Sequence, residues 1–304
     1  MKYPAAIASR SYLMPFIRLL ALLAVLSTAA ISSADGPRVY LLSGQSNMQG
    51  SGRVADIPES VPREIPHAYL WNGKTFEPMV LGQTKLGANA ATFGPEVGFA
   101  LKTATAEQPV YLIKYFASGM PLYHGWNGGK WAGTEPGPKR RNFYPGLTPD
   151  DPNVGVLYQQ MLAKYRQGLA ELAKQGDVPQ VQGFLWMQGE MDAKGEESAI
   201  SYAANLKRLR DRLAADLKLD AELPMVYGQV LPHEPAAPRF THRTETRQQM
   251  ADADADSGKP EAIPAAKMVS TDGFDVLADT VHYSAKGQLQ LGEAMAEAMK
   301  KLLD

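Results

Sequence analysis

The 304 residues contain no cysteine. That excludes thiol catalysis, thiolate metal sites, disulfides and a lipid-modified N-terminal cysteine, so stability rests on the core alone. An excess of either charge is also missing, with 31 Lys and Arg against 32 Asp and Glu. Nothing in that balance draws the chain to nucleic acid or to an anionic membrane, and no protein partner is suggested. Histidine is scarce. The five (His67, His124, His233, His242, His282) form no H-x-x-x-H pair, so no metal and no cofactor are expected, with carboxylate ligands the one route left to an ion.

A run long enough to cross a bilayer, about 20 apolar residues, is lacking too. The uncharged stretch 19–34 falls short and is diluted by Ser27, Thr28, Ser32 and Ser33. What stands there instead is Lys2, Arg10 and Arg18, then an apolar core at 19–26, then Ser32-Ser33-Ala34. This is the layout of a secretory signal peptide, residues 1–34, cleaved near Ala34. Export to a periplasm or to the exterior follows, with no membrane attachment of the mature chain.

Residues 35–304 are enough for one large domain and few for two. Apolar, β-branched and aromatic runs at 39–42, 110–116, 181–187, 224–230 and 267–270 read as strands. Between them, 154–174, 197–217 and 284–303 carry apolar residues at three- and four-residue spacing, the mark of amphipathic helices. Strands alternating with such helices imply crossover units, hence an α/β fold with a mostly parallel central sheet and helices on both faces. The acidic stretch 252–256 reads as a solvated helix end or loop. Residues 120–151 break the alternation, being rich in Gly, Pro and aromatics. A loop that long is commonly functional or disordered, and its aromatics argue against disorder. Tyr123, Trp126 and Trp131 are candidates for stacking on sugar faces; pinning the loop to the core explains the two tryptophans equally well.

Gly44-Gln45-Ser46-Asn47-Met48 follows the first apolar run directly. Ser46 therefore falls at the carboxyl end of a strand, where open α/β sheets place their chemistry, although a polar turn gives the same pattern. Asp279-Thr280-Val281-His282 precedes the last helix, whose N-cap is Ser284. An Asp three residues before a His can turn its carboxylate onto Nδ1 and leave Nε2 for a nucleophile. Gln188 and Glu190, in Trp186-Met187-Gln188-Gly189-Glu190-Met191-Asp192, stand at the end of the strand read at 181–187. A Gln there can direct its amide at a developing oxyanion. Glu190 and Asp192 offer an alternative acid–base pair of open geometry, and Glu190 reads as a group orienting its neighbours. In Ala117-Ser118-Gly119-Met120-Pro121 a glycine N–H can approach a ligand closely. Gly94-Pro95-Glu96 reads as a helix start.

These motifs, in this order, resemble the SGNH hydrolase superfamily, and more narrowly its sialate O-acetylesterase-like branch, which includes acetylxylan esterases of carbohydrate esterase family 6. The match runs from about Arg38 to the C-terminus. It implies a three-layer α/β/α sandwich, the flavodoxin-like SGNH hydrolase fold, and metal-free hydrolysis of O-acetyl esters on acetylated carbohydrates. By position it implies Ser46 as nucleophile, His282 as base and Asp279 as its partner. The oxyanion donors would be the N–H groups of Ser46 and Gly119 and the side chain of Gln188, with Glu96 and Glu190 in support and Asn47 beside the substrate. Ser118-Gly119-Met120 replaces the branch's frequent Gly-Gly-Thr. Met48 departs from the G-x-S-x-G of ordinary α/β-hydrolases.

Overall fold

The computed structural model describes residues 36–304 apart from 175, 177, 220–221 and 234–237. The expected leader and its cleavage point at Ala34 lie outside the described residues. The chain enters as β1 (Arg38–Gly44), turns through the one-turn helix α1 (Ser46–Gln49) and a short strand β2 (Gly52–Arg53), then forms the hairpin β3 (Glu64–Trp71) and β4 (Phe76–Val80). A two-residue β5 (Thr92–Phe93) leads into α2 (Glu96–Thr103) and β6 (Val110–Phe116). The long loop then carries a small hairpin, β7 (Trp126–Asn127) with β8 (Lys130–Trp131). Next come α3 (Val156–Ala173), β9 (Gln180–Met187), α4 (Glu196–Ile200) and α5 (Tyr202–Leu217). The chain closes with β10 (Met225–Gly228), α6 (Arg243–Asp252), β11 (Ala266–Val269) and α7 (Ala285–Leu303).

The central sheet has the order β11-β10-β9-β1-β6-β3-β4, parallel except for the edge hairpin strand β4. Five successive residues of β1, from Val39 to Ser43, are at most 1% exposed. Successive side chains point to opposite faces, so both faces of β1 are covered. On one side α2 and α7 pack together, and α7 runs over β9, β10 and β11; α3 packs on β6 and beside α5.

Three strands end level at the centre. Gly44 of β1 pairs with Phe116 of β6 on one side and with Met187 of β9 on the other. The residues just beyond those ends are Ser46, Ser118-Gly119 and Gln188. Gly44 makes this convergence feasible, because its φ is +152° and a Cβ there would lie 2.0 Å from the Met187 carbonyl oxygen.

No helix among the described residues is long and apolar enough to cross a membrane. The predicted helix over 197–217 is two helices, α4 and α5, broken at Ser201, whose hydroxyl bonds to the Glu197 carbonyl (2.5 Å). The acidic stretch 252–256 is less solvated than expected, since Asp254 accepts from Lys267 Nζ (3.1 Å) and the Met268 N–H (2.7 Å).

Candidate active site

Ser46 opens α1, where a backbone N–H has no acceptor within its own helix. Its side chain, from a residue 8% exposed, donates to His282 Nε2 (2.9 Å). His282 Nδ1–H donates to Asp279 Oδ2 (2.6 Å). The other Asp279 oxygen, Oδ1, accepts the N–H groups of Val281 and His282, both at 2.9 Å. Burial alone would raise the Asp279 carboxyl, but the bonds from the His282 ring and those two N–H groups hold it below its ordinary value. It is thus kept as the anion an imidazolium needs beside it.

The loop bearing Asp279 and His282 is a tight one. The Leu277 N–H bonds to the His282 carbonyl (2.7 Å), Val276 bridges Tyr283, and Ser284 caps α7 by accepting the Gly287 N–H (3.2 Å). The turn forces Thr280 to φ +59°, a left-handed conformation that a β-branched residue adopts only under strain. Asparagine tolerates that region better. Thr280→Asn is therefore expected to stabilise the fold by about 1 kcal/mol. Thermal unfolding should show it as a midpoint raised by about 2–4 °C, and a lowered midpoint would mean that the threonine makes a compensating contact.

Asn47 joins this loop to the nucleophile. Its amide donates to Glu190 Oε1 (2.7 Å) and the Val281 carbonyl (2.9 Å), and its carbonyl accepts the Tyr283 N–H (3.2 Å). At 1% exposure it is a structural clamp, which corrects the expectation that it faces substrate. Glu190 lies beneath, fully buried, and burial raises its carboxyl despite the bonds from its own backbone and Asn47. Glu96 sits below α1. Its Oε2 pairs with Lys114 Nζ (2.6 Å), which also donates to the carbonyls of Leu86 (2.7 Å) and Gln49 (3.1 Å). Glu96 thereby supports the last residue of the nucleophile's helix through Lys114, whose ammonium burial pushes down against the pull of Glu96.

Gly119 has φ +67° and no atom within 4 Å of where a Cβ would stand, so its backbone is open to approach. Gln188 is not. Its Nε2 donates to Asp192 Oδ2 (2.6 Å) and the Met120 carbonyl (3.1 Å), with Gln45 Oε1 at 3.3 Å. An amide has two N–H groups, and both have acceptors here. Its own oxygens take the Tyr202 hydroxyl, the backbone one by a short bond and Oε1 at 3.1 Å. The expectation of a free Gln188 amide aimed at an oxyanion is corrected accordingly: Gln188 holds Met120, the neighbour of Gly119.

Sequence reasoning left Asp192 without a definite part. Fully buried, it accepts from Gln188 Nε2, the Leu122 N–H (2.9 Å) and the Tyr123 N–H (2.8 Å). Its carbonyl accepts from Ser198 Oγ (2.6 Å), which in turn accepts from Trp126 Nε1 (3.1 Å). One residue thus ties the end of β9 to the loop after β6. Burial pushes its carboxyl up to about 6, opposed by the hydrogen bonds it accepts. The conjunction of a buried Asp with two free-standing loop N–H groups has no local sequence signal.

The aromatic loop divides. Trp126 is 7% exposed and packs with Tyr123 and Met191, so the stacking role expected of it is corrected to that of a pin. Tyr123, 8% exposed, has burial raising its phenol. Trp131 is 44% exposed and stacks on the Tyr123 ring at 5.9 Å and 7°. Among the described residues no group of three or more His, Asp or Glu is arranged to hold a metal ion.

No curated protein matches the sequence. Solved structures do. An Arabidopsis thaliana protein aligns at TM-score 0.63 and 18% identity, over 88% of this chain and 98% of its own. NanS aligns at 0.57 and 15%, over 88% and 98%. A carbohydrate acetylesterase from Xanthomonas citri aligns at 0.53 and 17%, over 87% of this chain and 56% of its own. At such identities these likenesses establish the fold alone, an α/β architecture with a mostly parallel central sheet. The family described as "Carbohydrate esterase, sialic acid-specific acetylesterase" matches residues 37–301. That match spans the β1 serine turn, the β6 and β9 ends and the Asp-x-x-His loop alike, and the chain belongs to this carbohydrate esterase family.

Proposed function

We propose that the protein is an exported serine esterase that removes O-acetyl groups from a saccharide. The observation that carries this reading is the unbroken relay from Ser46 Oγ through His282 to Asp279, at 2.9 and 2.6 Å. Membership of a carbohydrate acetylesterase family supports the same chemistry.

In the mechanism, His282 Nε2 takes the Ser46 hydroxyl proton as Oγ bonds to the acetyl carbonyl carbon. Asp279 stabilises the imidazolium that results. The N–H groups of Ser46 and Gly119 face the tetrahedral oxyanion, and Gln188 fixes the loop that presents Gly119. Collapse breaks the bond to the sugar oxygen, which leaves with the proton from His282. Water, deprotonated by His282, then releases acetate and restores Ser46. Trp131 on Tyr123 offers the exposed ring on which a sugar stacks. The leader 1–34 delivers residues 35–304 across a membrane as a single domain.

The acyl group is expected to be short. An acyl chain needs an apolar channel, whereas the loop beside the β6 end offers Gly119, Arg141 and Asn127. Hydrolysis of p-nitrophenyl acetate should exceed that of the octanoate by at least about tenfold in kcat/KM, the low end of the discrimination a pocket makes against methylenes it has no room for. A preference for octanoate would redirect the reading to a lipid or thioester substrate. Acetate release from acetylated xylan and from an O-acetylated sialic acid then separates the two saccharide classes.

A further inference from the structure

Arg140 and Arg141 are adjacent and are used differently. Arg140 turns inward and donates to the carbonyls of His124 (2.9 Å), Glu135 (2.6 Å) and Ala132 (3.0 Å), which makes it part of the loop's frame. Arg141 is held by its backbone instead. Its N–H donates to Asn127 Oδ1 (2.9 Å) and its carbonyl accepts the Gly128 N–H (2.9 Å). Its side chain lies along Met120, with Nε on the sulfur at 3.3 Å. The residue is exposed, and its guanidinium forms no ion pair among the described residues. Its charge also reaches Tyr115 near the end of β6.

The position is informative. Met120 follows Gly119 in the chain, and its carbonyl is fixed by Gln188. A full positive charge therefore lies against the side chain of the residue that follows Gly119, on a backbone bonded at both its N–H and its carbonyl. A guanidinium so placed presents a planar fork that a carboxylate matches with two parallel charge-assisted bonds, whereas a neutral sugar hydroxyl offers it only single, weaker ones. From this juxtaposition we infer that Arg141 binds the carboxylate of an acetylated sugar acid and is a specificity-determining residue of the esterase. The inference rests on the esterase reading above and names its substrate class.

Sugar acids reach such a site from two sources, sialic acids and uronic acids, which share the carboxylate. The test compares kcat/KM for acetate release from an O-acetylated sialic acid and an O-acetylated galacturonide, each beside its own carboxylate methyl ester. The wild type is expected to prefer at least one free acid over its methyl ester by about ten- to a hundredfold, the worth of a charge-assisted bidentate pair. The source with the larger ratio is the natural one. The preference should reside in KM and weaken as salt is added. Arg141→Gln should bring the ratio close to one, and Arg141→Lys should restore part of it.

Equal rates on acid and methyl ester by the wild type from both sources would overturn the inference, and that comparison needs no variant to fold. A ratio unchanged in Arg141→Gln would overturn it as well. Failure of the wild type to hydrolyse p-nitrophenyl acetate is a different result, and it would count against the esterase reading itself.

Discussion

Ser46→Ala is expected to lower acetate release by at least about 10⁴-fold, because the covalent route has no other nucleophile. The serine hydroxyl is what His282 Nε2 faces at 2.9 Å, and removing it leaves the Asp279–His282 pair and the N–H groups of α1 in place. Alanine is a good helix residue, and Ser46 opens a helix whose neighbours Asn47 and Met48 are anchored by their own burial. The variant should therefore unfold at the wild-type temperature while losing the pre-steady-state burst. Mass spectrometry of wild type quenched during turnover should show one added acetyl group on the peptide containing Ser46. A burst or an acetylated peptide that survives in Ser46→Ala would place the nucleophile elsewhere.

The second large effect is expected at a residue that touches no substrate. Asp192→Asn is isosteric, yet it replaces one carboxylate oxygen by a donor. In the wild type, Oδ2 accepts from Gln188 Nε2 and the Leu122 N–H, and Oδ1 accepts from the Tyr123 N–H. Whichever way the asparagine amide is turned, a donor meets a donor in a fully buried place, at a cost of about 1–3 kcal/mol. The chain between Met120 and Tyr123 then loses its anchor, and with it the position of Gly119. A drop in kcat of about 10²- to 10³-fold is expected, the scale of losing an aligned oxyanion donor. The loss should fall on kcat rather than KM, and Asp192→Glu should not rescue it, since the longer chain displaces all three bonds. Wild-type kcat in Asp192→Asn would return the carboxylate to a purely structural role.

The same carboxyl sets a dependence on pH, because burial pushes it up to about 6 from its ordinary 3.8. A carboxyl raised on folding binds its proton more tightly in the native state. Its contribution to stability is complete below the unfolded value and is lost as pH rises through about 6. Its ability to accept three donors runs the other way and requires the anion. Activity should therefore rise through about pH 6 while the melting-temperature advantage of wild type over Asp192→Asn shrinks from pH 4 to pH 7. An advantage that grows over that range would reverse the assignment.

The strands that build the site were legible because they are buried on both faces. The run 110–116 coincides with β6, and 181–187 misses β9 by one residue. The hairpin β3–β4 was not. Pro66 and His67, the latter at φ +57°, interrupt its alternation, and its pairing shifts register between Glu64 and Tyr69. The helix α6 escaped because its sequence, Arg-Thr-Glu-Thr-Arg-Gln-Gln-Met-Ala-Asp, offers few apolar residues to reveal a face. Within the site, Ser46, Asp279 and His282 carry local signals, a strand-end turn and a D-x-x-H spacing, and the fold brings them into contact. The parts assigned to Gln188, Asn47 and Trp126 came out differently for one shared reason. A polar or aromatic residue at a strand end suits a ligand and a neighbouring loop equally well. Only the partners at Asp192, Val281 and Ser198 decide between them, and those partners are distant in sequence or unremarkable in type.

The clamp formed by Asn47 has a consequence for how the molecule comes into being. It joins positions 234 residues apart, and the Ser46–His282 bond spans 236. The first strand of the sheet leads into Ser46, but β9, its neighbour, is made much later, and the loop with His282 later still. A nascent or partly folded chain therefore holds Ser46 without its partner histidine. The Ser46–His282–Asp279 relay is assembled only when the loop before the last helix meets Asn47. If the esterase reading holds, the topology itself keeps the chain inert until its last element is in place.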